Sequence, residues 1–523
     1  MDDLDRLAAE HLEVTRRHFL GLSAAGAAGL AAGAIGFGKA LGADEAADAW
    51  NPDRPLRVLG EKLKVQPVFM YATFQKRPKT SWKSWGGVNT KQAAEEEAAR
   101  ISKELEALAA GADFPLEILP LATATTPAEA RKVHEIDYDA VLVYPATGSG
   151  DVLTACFPVK PEKDAIVFVR HESGPAYYWY EAIGTRWLKR GADEEALQNT
   201  IQNHGGVTVH DVVVDDYREV AWRLRGLYGL KNFVGQRIVA LGGAGGKYAS
   251  DAPKVARERY GLTIIEVSYD DLARRIQEAR ANAPLVAQAR KWTEQYLALP
   301  GTRLATRREF VASAFLLYAV FKDWMREHRA SAFTIGQCMN TVMPMADTTA
   351  CLTLSWLNDE GWAAFCESDF VIIPCGILLR HIAGKPVFLH NSTFPHQGRV
   401  TCAHCTAPRR MDGRTYEPAE ILTHYESDFG AAPKVEMAVG RQVTFLDPEY
   451  ATGRWVGFRG VIKANPFLEI CRTQQDVEIQ GNWKKLLGEA RDSHWMMAYG
   501  DYLREIGYAA RKIGLRWTDL SET

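Results

Sequence analysis

Apolar residues along this chain fall into short runs separated by longer stretches with helical spacing. Val65-Gln66-Pro67-Val68-Phe69-Met70-Tyr71, Leu116 to Leu119, Ala140 to Tyr144 and Ala165 to Val169 are such runs, each with the length of a strand buried on both faces. Between them, Gln92 to Ala110 is rich in Ala, Glu and Leu and predicts a helix, and a shorter helix begins at Pro127. Strands alternating with helices imply a parallel sheet covered on both sides. A second α/β unit is expected from about Val207: a helix from Tyr217 to Tyr228, a strand from Arg237 to Leu241, a further helix, and a long helical region from Asp270 to Arg329. Beyond it, polar residues, cysteines and histidines concentrate around further strand-like runs. The expected division is therefore 65–206, 207–330 and 331–523, after a linker at 44–64.

The N-terminus carries a different pattern. Thr15-Arg16-Arg17-His18-Phe19-Leu20 precedes a Gly- and Ala-rich apolar run to about Phe37, then Lys39 and Ala40-Leu41-Gly42-Ala43. That order is the one of a twin-arginine export signal spanning 1–43, so the protein is expected outside the cytoplasm, periplasmic or extracellular, with no membrane association except through the signal. With 523 residues, 47% of them apolar, the chain can bury large cores. A formal charge of −3 without long single-sign runs excludes a nucleic-acid-binding face and favours a small-molecule partner. Eight cysteines are too sparse for a disulfide framework.

Two turns invite a ligand. Arg170-His171-Glu172-Ser173-Gly174-Pro175 follows a strand, where parallel sheets place sites, although Arg170 and His171 read equally well as surface positions. Gly242-Gly243-Ala244-Gly245-Gly246 follows another strand, but it misses both the dinucleotide and P-loop patterns. A plain strand-to-helix turn is the preferred reading there, and an unphosphorylated substrate goes with it.

The residues with most chemistry lie between Cys351 and Pro408. Glu367, Asp369, His390, His396, Cys402, His404 and Cys405 all sit close to strand ends. Glu367 with the imidazoles of His390 and His404 offers mixed oxygen and nitrogen ligands for a divalent ion, and His494, far downstream, occupies another turn beside a strand. Plainer readings stand beside these: Glu367 as a solvated or capping carboxylate, His404 as a hydrogen-bonded core histidine. Cys402 and Cys405 form one Cys-x-x-Cys pair, read as buried thiols or a disulfide rather than a zinc site, which needs two more ligands.

Asn358-Asp359-Glu360-Gly361, Cys366-Glu367-Ser368-Asp369, Gly384-Lys385-Pro386-Val387-Phe388-Leu389, Ala403-His404-Cys405 and Ser493-His494, in that order, resemble the L-fucose and L-arabinose isomerase superfamily, in particular its fucose-isomerase-like members. The resemblance runs from about Val65 to the end and is densest in the last third. It implies two Rossmann-like parallel-sheet domains followed by a C-terminal, largely β domain. It also implies homo-trimers or homo-hexamers that interconvert aldoses and ketoses with a divalent ion, manganese first and zinc as the alternative. On that resemblance Glu367 is a metal carboxylate and catalytic acid-base group, His494 a metal histidine and His404 a residue lining the site. Arg77 would reach sugar hydroxyls from a neighbouring subunit, and Trp85 would stack on a sugar face.

Such a reaction removes a proton α to a carbonyl while a cation stabilises the enediolate oxygen. The family's second carboxylate falls in Phe388 to Phe394, where this chain has His390 and Asn391 instead. An amide cannot take up a proton at neutral pH, whereas an imidazole can ligate and titrate. Three readings follow: an isomerase in which His390 joins Glu367 and His494 at the metal, a sugar-binding protein without turnover, or an oxidoreductive or carbohydrate-processing assembly using Cys402, His404 and Cys405.

Overall fold

The computed structural model describes residues 49–160, 162–171, 179, 207–449, 453–489 and 492–522. The expected export signal lies outside them. The chain divides into two compact units, one built from 61–231 and the other from 49–60 together with 232–522. No helix among the described residues is long and apolar enough to cross a membrane.

The first unit follows the alternating pattern closely. It contains β1 (Leu63–Met70), α1 (Lys91–Gly111), β2 (Leu116–Ile118), β3 (Ala122–Ala124), α2 (Pro127–Lys132), β4 (Ala140–Pro145), α3 (Gly150–Cys156), β5 (Asp164–Val169), β6 (Val212–Val214) and most of α4 (Tyr217–Phe233). The strands pair in parallel in the order β2-β1-β4-β5-β6, with β3 also on β1. β1, β4 and β5 are buried almost throughout, as continuous apolar runs require when helices cover both faces. α1 begins where Thr90 accepts a hydrogen bond from the Ala93 N–H, satisfying one of the free donors of its first turn. The unit extends past the boundary expected at 206, because β6 pairs with β5 rather than opening a new sheet.

The second unit holds a parallel sheet and an antiparallel barrel. Its elements are β7 (Arg237–Leu241), α5 (Ala252–Tyr260), β8 (Thr263–Val267), α6 (Tyr269–Ala281), α7 (Ala283–Leu297), β9 (Thr302–Leu304), α8 (Arg308–Glu327), β10 (Ala332–Ile335), α9 (Cys338–Ala346), α10 (Cys351–Asp359), β11 (Ala363–Phe365) and α11 (Ile373–Ala383). Then come β12 (Phe388–Ser392), β13 (Arg399–His404), β14 (Ala419–His424), β15 (Phe429–Val435), β16 (Gln442–Glu449), β17 (Arg454–Ala464), β18 (Thr473–Gln480), α12 (Trp483–Glu489), β19 (His494–Tyr499), α13 (Leu503–Lys512) and β20 (Arg516–Asp519). The parallel sheet has the order β11-β10-β7-β8, so half of its strands come from beyond residue 330. β14 and β15 form a small sheet with β9.

The remaining strands run β16-β19-β12-β13-β18-β17-β20, with β20 parallel to β17, and β17 pairs back onto β16 from Gln442↔Val461 to Glu449↔Arg454. That last pairing closes the six antiparallel strands into a barrel, and β20 remains beside β17 as an edge. Inside, Phe445 stacks on Phe458 at 4.6 Å between ring centres, and Trp495 meets Phe458 edge-on at 5.4 Å. α8 is buried along most of its length against a core in which Phe315 stacks on Trp356 at 3.7 Å. Such pairs add about 1 kcal/mol beyond the apolar area they bury.

Candidate metal centre

In the second unit, β7, β10 and β11 end side by side. The chain goes from β7 to β8 on one side but returns to β10 on the other, so the loops leaving β7 and β10 diverge and open a crevice at the carboxyl ends of the strands. Gly242, directly after β7, has φ 79°, and a Cβ there would press on the Tyr269 ring at 2.5 Å, so glycine is required. After β11, Glu367 and Ser368 lie at φ 63° and 50°, two consecutive non-glycine residues in the left-handed region. Each costs about 1 kcal/mol or more and persists only where the surroundings hold it.

Those surroundings are the two loops themselves. Gly245 N–H donates to the Ser368 carbonyl at 3.1 Å, Phe370 N–H to the Gly245 carbonyl at 2.9 Å, and Ser368 Oγ to the Gly243 carbonyl at 2.7 Å. Asp369, fully buried, accepts from the Lys247 N–H at 2.9 Å and the Val371 N–H at 3.1 Å through Oδ1. The stitching presents Glu367 and Lys247 to one point, with Lys247 Nζ 3.5 Å from Glu367 Oε2.

The barrel supplies the opposite wall. His494, the first residue of β19, is buried, and its Nδ1 donates to Asp369 Oδ2 at 2.7 Å. A carboxylate only accepts, so this bond fixes the ring and turns Nε2 toward Glu367 Oε2, 3.2 Å away. His404, the last residue of β13, bonds Thr406 Oγ1 through Nδ1 at 3.1 Å and approaches Glu367 Oε1 with Nε2 at 3.6 Å. Each imidazole is thus held at one nitrogen and offers the other, the arrangement that orients histidines at metal ions. The donor atoms of Glu367, His404 and His494 all lie within 4.8 Å of one another. Donors sharing one ion at about 2.1 Å are at most about 4.2 Å apart, so shifts of a fraction of an ångström suffice.

Electrostatics reinforces the cluster. Burial works against the Glu367 carboxylate, but hydrogen bonds and charge from His404 and His494 hold its pKa far below the ordinary range. Burial also opposes the His494 cation, yet Asp369 and Glu367 together raise its pKa to about 9. Burial lowers the pKa of His404 despite Glu367. The two carboxylates thus concentrate negative charge where a cation would sit, and an ion held there would take the place of the His494 proton. One carboxylate and two imidazoles form a nitrogen-rich, borderline set that fits a divalent transition ion or zinc.

Positions 367 and 494, expected to meet, do meet, and His404 joins them. His390 does not. It pairs across the ladder with Trp495, its ring packs on Phe388 and Phe445 at 5.5 Å, and burial lowers its pKa to about 3. Residues alternate faces along a strand, so with His390 turned to the barrel interior, Asn391 shares the face of its partner His494. Asn391 Nδ2 donates to the Ser493 carbonyl at 3.4 Å. Arg77 and Trp85 belong to the first unit, both exposed. Arg170, in that unit too, is buried and paired with Glu97 and Glu104, while His171 is exposed, its N–H on Asp215.

Cys402 is buried within β13, and Cys405 packs with Cys351 and Cys471; both thiols are free. Lys247 and the orienting part of Asp369 were not assigned from sequence, and the legible sign of Lys247 is a lysine directly after a glycine run at a strand end. No family model matches the chain, and no curated protein sequence matches it.

Proposed function

We propose that this protein is a divalent-metal-dependent enzyme that moves a proton between adjacent carbons of a small, unphosphorylated sugar or related hydroxycarbonyl compound, on a scaffold of the fucose-isomerase type. The observation that carries the metal centre is the convergence of Glu367, His404 and His494, with each imidazole tied down at Nδ1 and pointing Nε2 at the same carboxylate. Support for the scaffold comes from the order of two parallel sheets followed by an antiparallel barrel. The donor set, richer in nitrogen than the expected two carboxylates and one histidine, favours zinc over manganese.

Glu367, His404 and His494 would hold the ion, which when bound would supply positive charge to an oxyanion developing on the substrate. Glu367 is the group able to accept the proton α to the carbonyl and return it to the neighbouring carbon. Lys247 Nζ, beside it, donates to a substrate oxygen. Asp369 keeps the His494 ring in place. Gly245 and Lys247 already spend their N–H groups on Ser368 and Asp369, which takes two donors from any phosphate cradle and supports an unphosphorylated substrate.

One observation supports a second reading, sugar binding without turnover. Asn391 stands on the His494 face, where the resemblance calls for a second acid, and an amide takes up no proton. Glu367→Gln separates the two. Loss of bound metal and of turnover in a screen of aldoses and ketoses supports the enzyme; metal and turnover both intact would refute the assignment of Glu367, and a wild type that binds a sugar without converting it would establish the second reading.

A further inference from the structure

We propose that Cys338 and Cys366 are a reversible redox pair whose disulfide weakens cation binding at the adjacent Glu367; the coupling rests on the metal-centre reading, whereas the cross-link does not. The two Sγ atoms are 4.0 Å apart. β10 and β11 bring them together, because Thr334 and Phe365 are paired in the parallel ladder, Cys366 follows directly, and Cys338 opens α9 three residues beyond the end of β10. A disulfide spans about 2.05 Å between sulfurs, so the thiols must approach by about 2 Å, a movement shared between the side chains and the backbone that carries Cys366. Cys338 is half-buried and is the sulfur an oxidant meets first, while Cys366 is buried behind it. The Cys-x-x-Cys pair conspicuous in the sequence is placed differently, with Cys402 in the barrel and Cys405 against Cys351 and Cys471.

Position makes the pair consequential. Cys366 immediately precedes Glu367, whose left-handed backbone continues into Ser368 and is held by the Gly243–Lys247 loop. A pull on Cys366 toward Cys338 therefore turns Glu367 away from His404 and His494. With hydrogen peroxide as oxidant, the Cys338 sulfur takes a hydroxyl from the peroxide as the O–O bond breaks, and its proton leaves with the other oxygen as water. The Cys366 sulfur then displaces that hydroxyl, forming the S–S bond, and its proton leaves with it as a second water. Two thiols and one peroxide thus give one disulfide and two waters.

The test treats the reduced, full-length protein with stoichiometric peroxide, maps its peptides without reduction, and measures zinc affinity by competition with a chelator. A peptide linking Cys338 to Cys366, reversed by dithiothreitol and absent from Cys338→Ser, is expected, with zinc binding weakened about tenfold or more in the oxidised wild type and unchanged in peroxide-treated Cys338→Ser. Absence of that link, or its formation with unaltered zinc affinity, would overturn the proposal. A reduced protein that takes up no zinc contradicts the metal centre and the coupling with it, and the peptide map still decides the cross-link.

Discussion

Two parallel sheets in this molecule end in opposite ways. At the carboxyl end of the first, Arg170 follows β5, is buried, and is answered by Glu97 and Glu104 from α1, with Glu104 also accepting from Tyr217 at 2.8 Å. Burial opposes the Arg170 cation, and the two glutamates more than restore it, so its pKa rises. Arg170, Glu97 and Glu104 thus answer one another. At the end of the second sheet, charges are left facing one point: Glu367, Lys247 and the Nε2 atoms of two histidines, on a backbone held in the left-handed region. The same architecture thus serves stability where side chains satisfy one another and offers a binding site where they converge.

The sharpest way to break this contrast is to remove Arg170. Arg170→Met takes the buried cation from between Glu97 and Glu104, leaving them the half-exposed Arg100 and, for Glu104, the Tyr217 hydroxyl, and about 3 kcal/mol of stability should be lost in urea unfolding, with metal content per folded chain unchanged. A smaller loss of stability with altered metal content would show that the first sheet is not the structural one. At the second sheet, Asp369→Asn keeps the shape but frees the His494 ring, and metal affinity measured by chelator competition should fall about 10- to 100-fold. Lys247→Met should act in the opposite sense. It removes a cation 3.4 Å from His494 Nε2, so metal binding tightens while turnover falls. Weaker metal binding in that variant would make Lys247 part of the cation's own support.

The mildest contrast is in pH. His381 in α11 is buried with Nε2 2.5 Å from Gln236 Oε1, and burial, with Arg380 adding to it, lowers its pKa to about 3. The unfolded chain binds the proton near 6.5, so the stability this neutral ring contributes is complete above that pH and is lost as pH falls toward 3. Between pH 7 and 5 the loss is about 2 kcal/mol, and His381→Gln should flatten that part of the profile. An unchanged slope would mean that other groups govern acid unfolding.

Much of the first unit was legible, because continuous apolar runs and an Ala/Glu/Leu helix declare themselves locally; β4, β5 and α1 fall within a residue or two of the expected bounds. The barrel was legible only as a largely β region, since the β16–β17 pairing that closes it is a tertiary choice no local pattern encodes. Glu367, His404 and His494 stand out as polar residues at strand ends. His390 is the tempting error: its ring packs on Phe388 and Phe445, and it stands outside the cluster of Glu367, His404 and His494. Lys247 was hidden because a glycine run was weighed for phosphates, whereas its glycines serve close approach of the loop that carries the lysine. Asp369 was visible as an acid beside Glu367, but its role depends on a residue 125 positions away.

The most direct measurement is the elemental content of the purified protein, run beside His494→Ala. One divalent ion per chain in the wild type, lost in the variant while both fold alike by circular dichroism, is the expected result. A wild type that holds no ion even after incubation with zinc or manganese, or a His494→Ala protein that keeps its full complement, would contradict the metal centre.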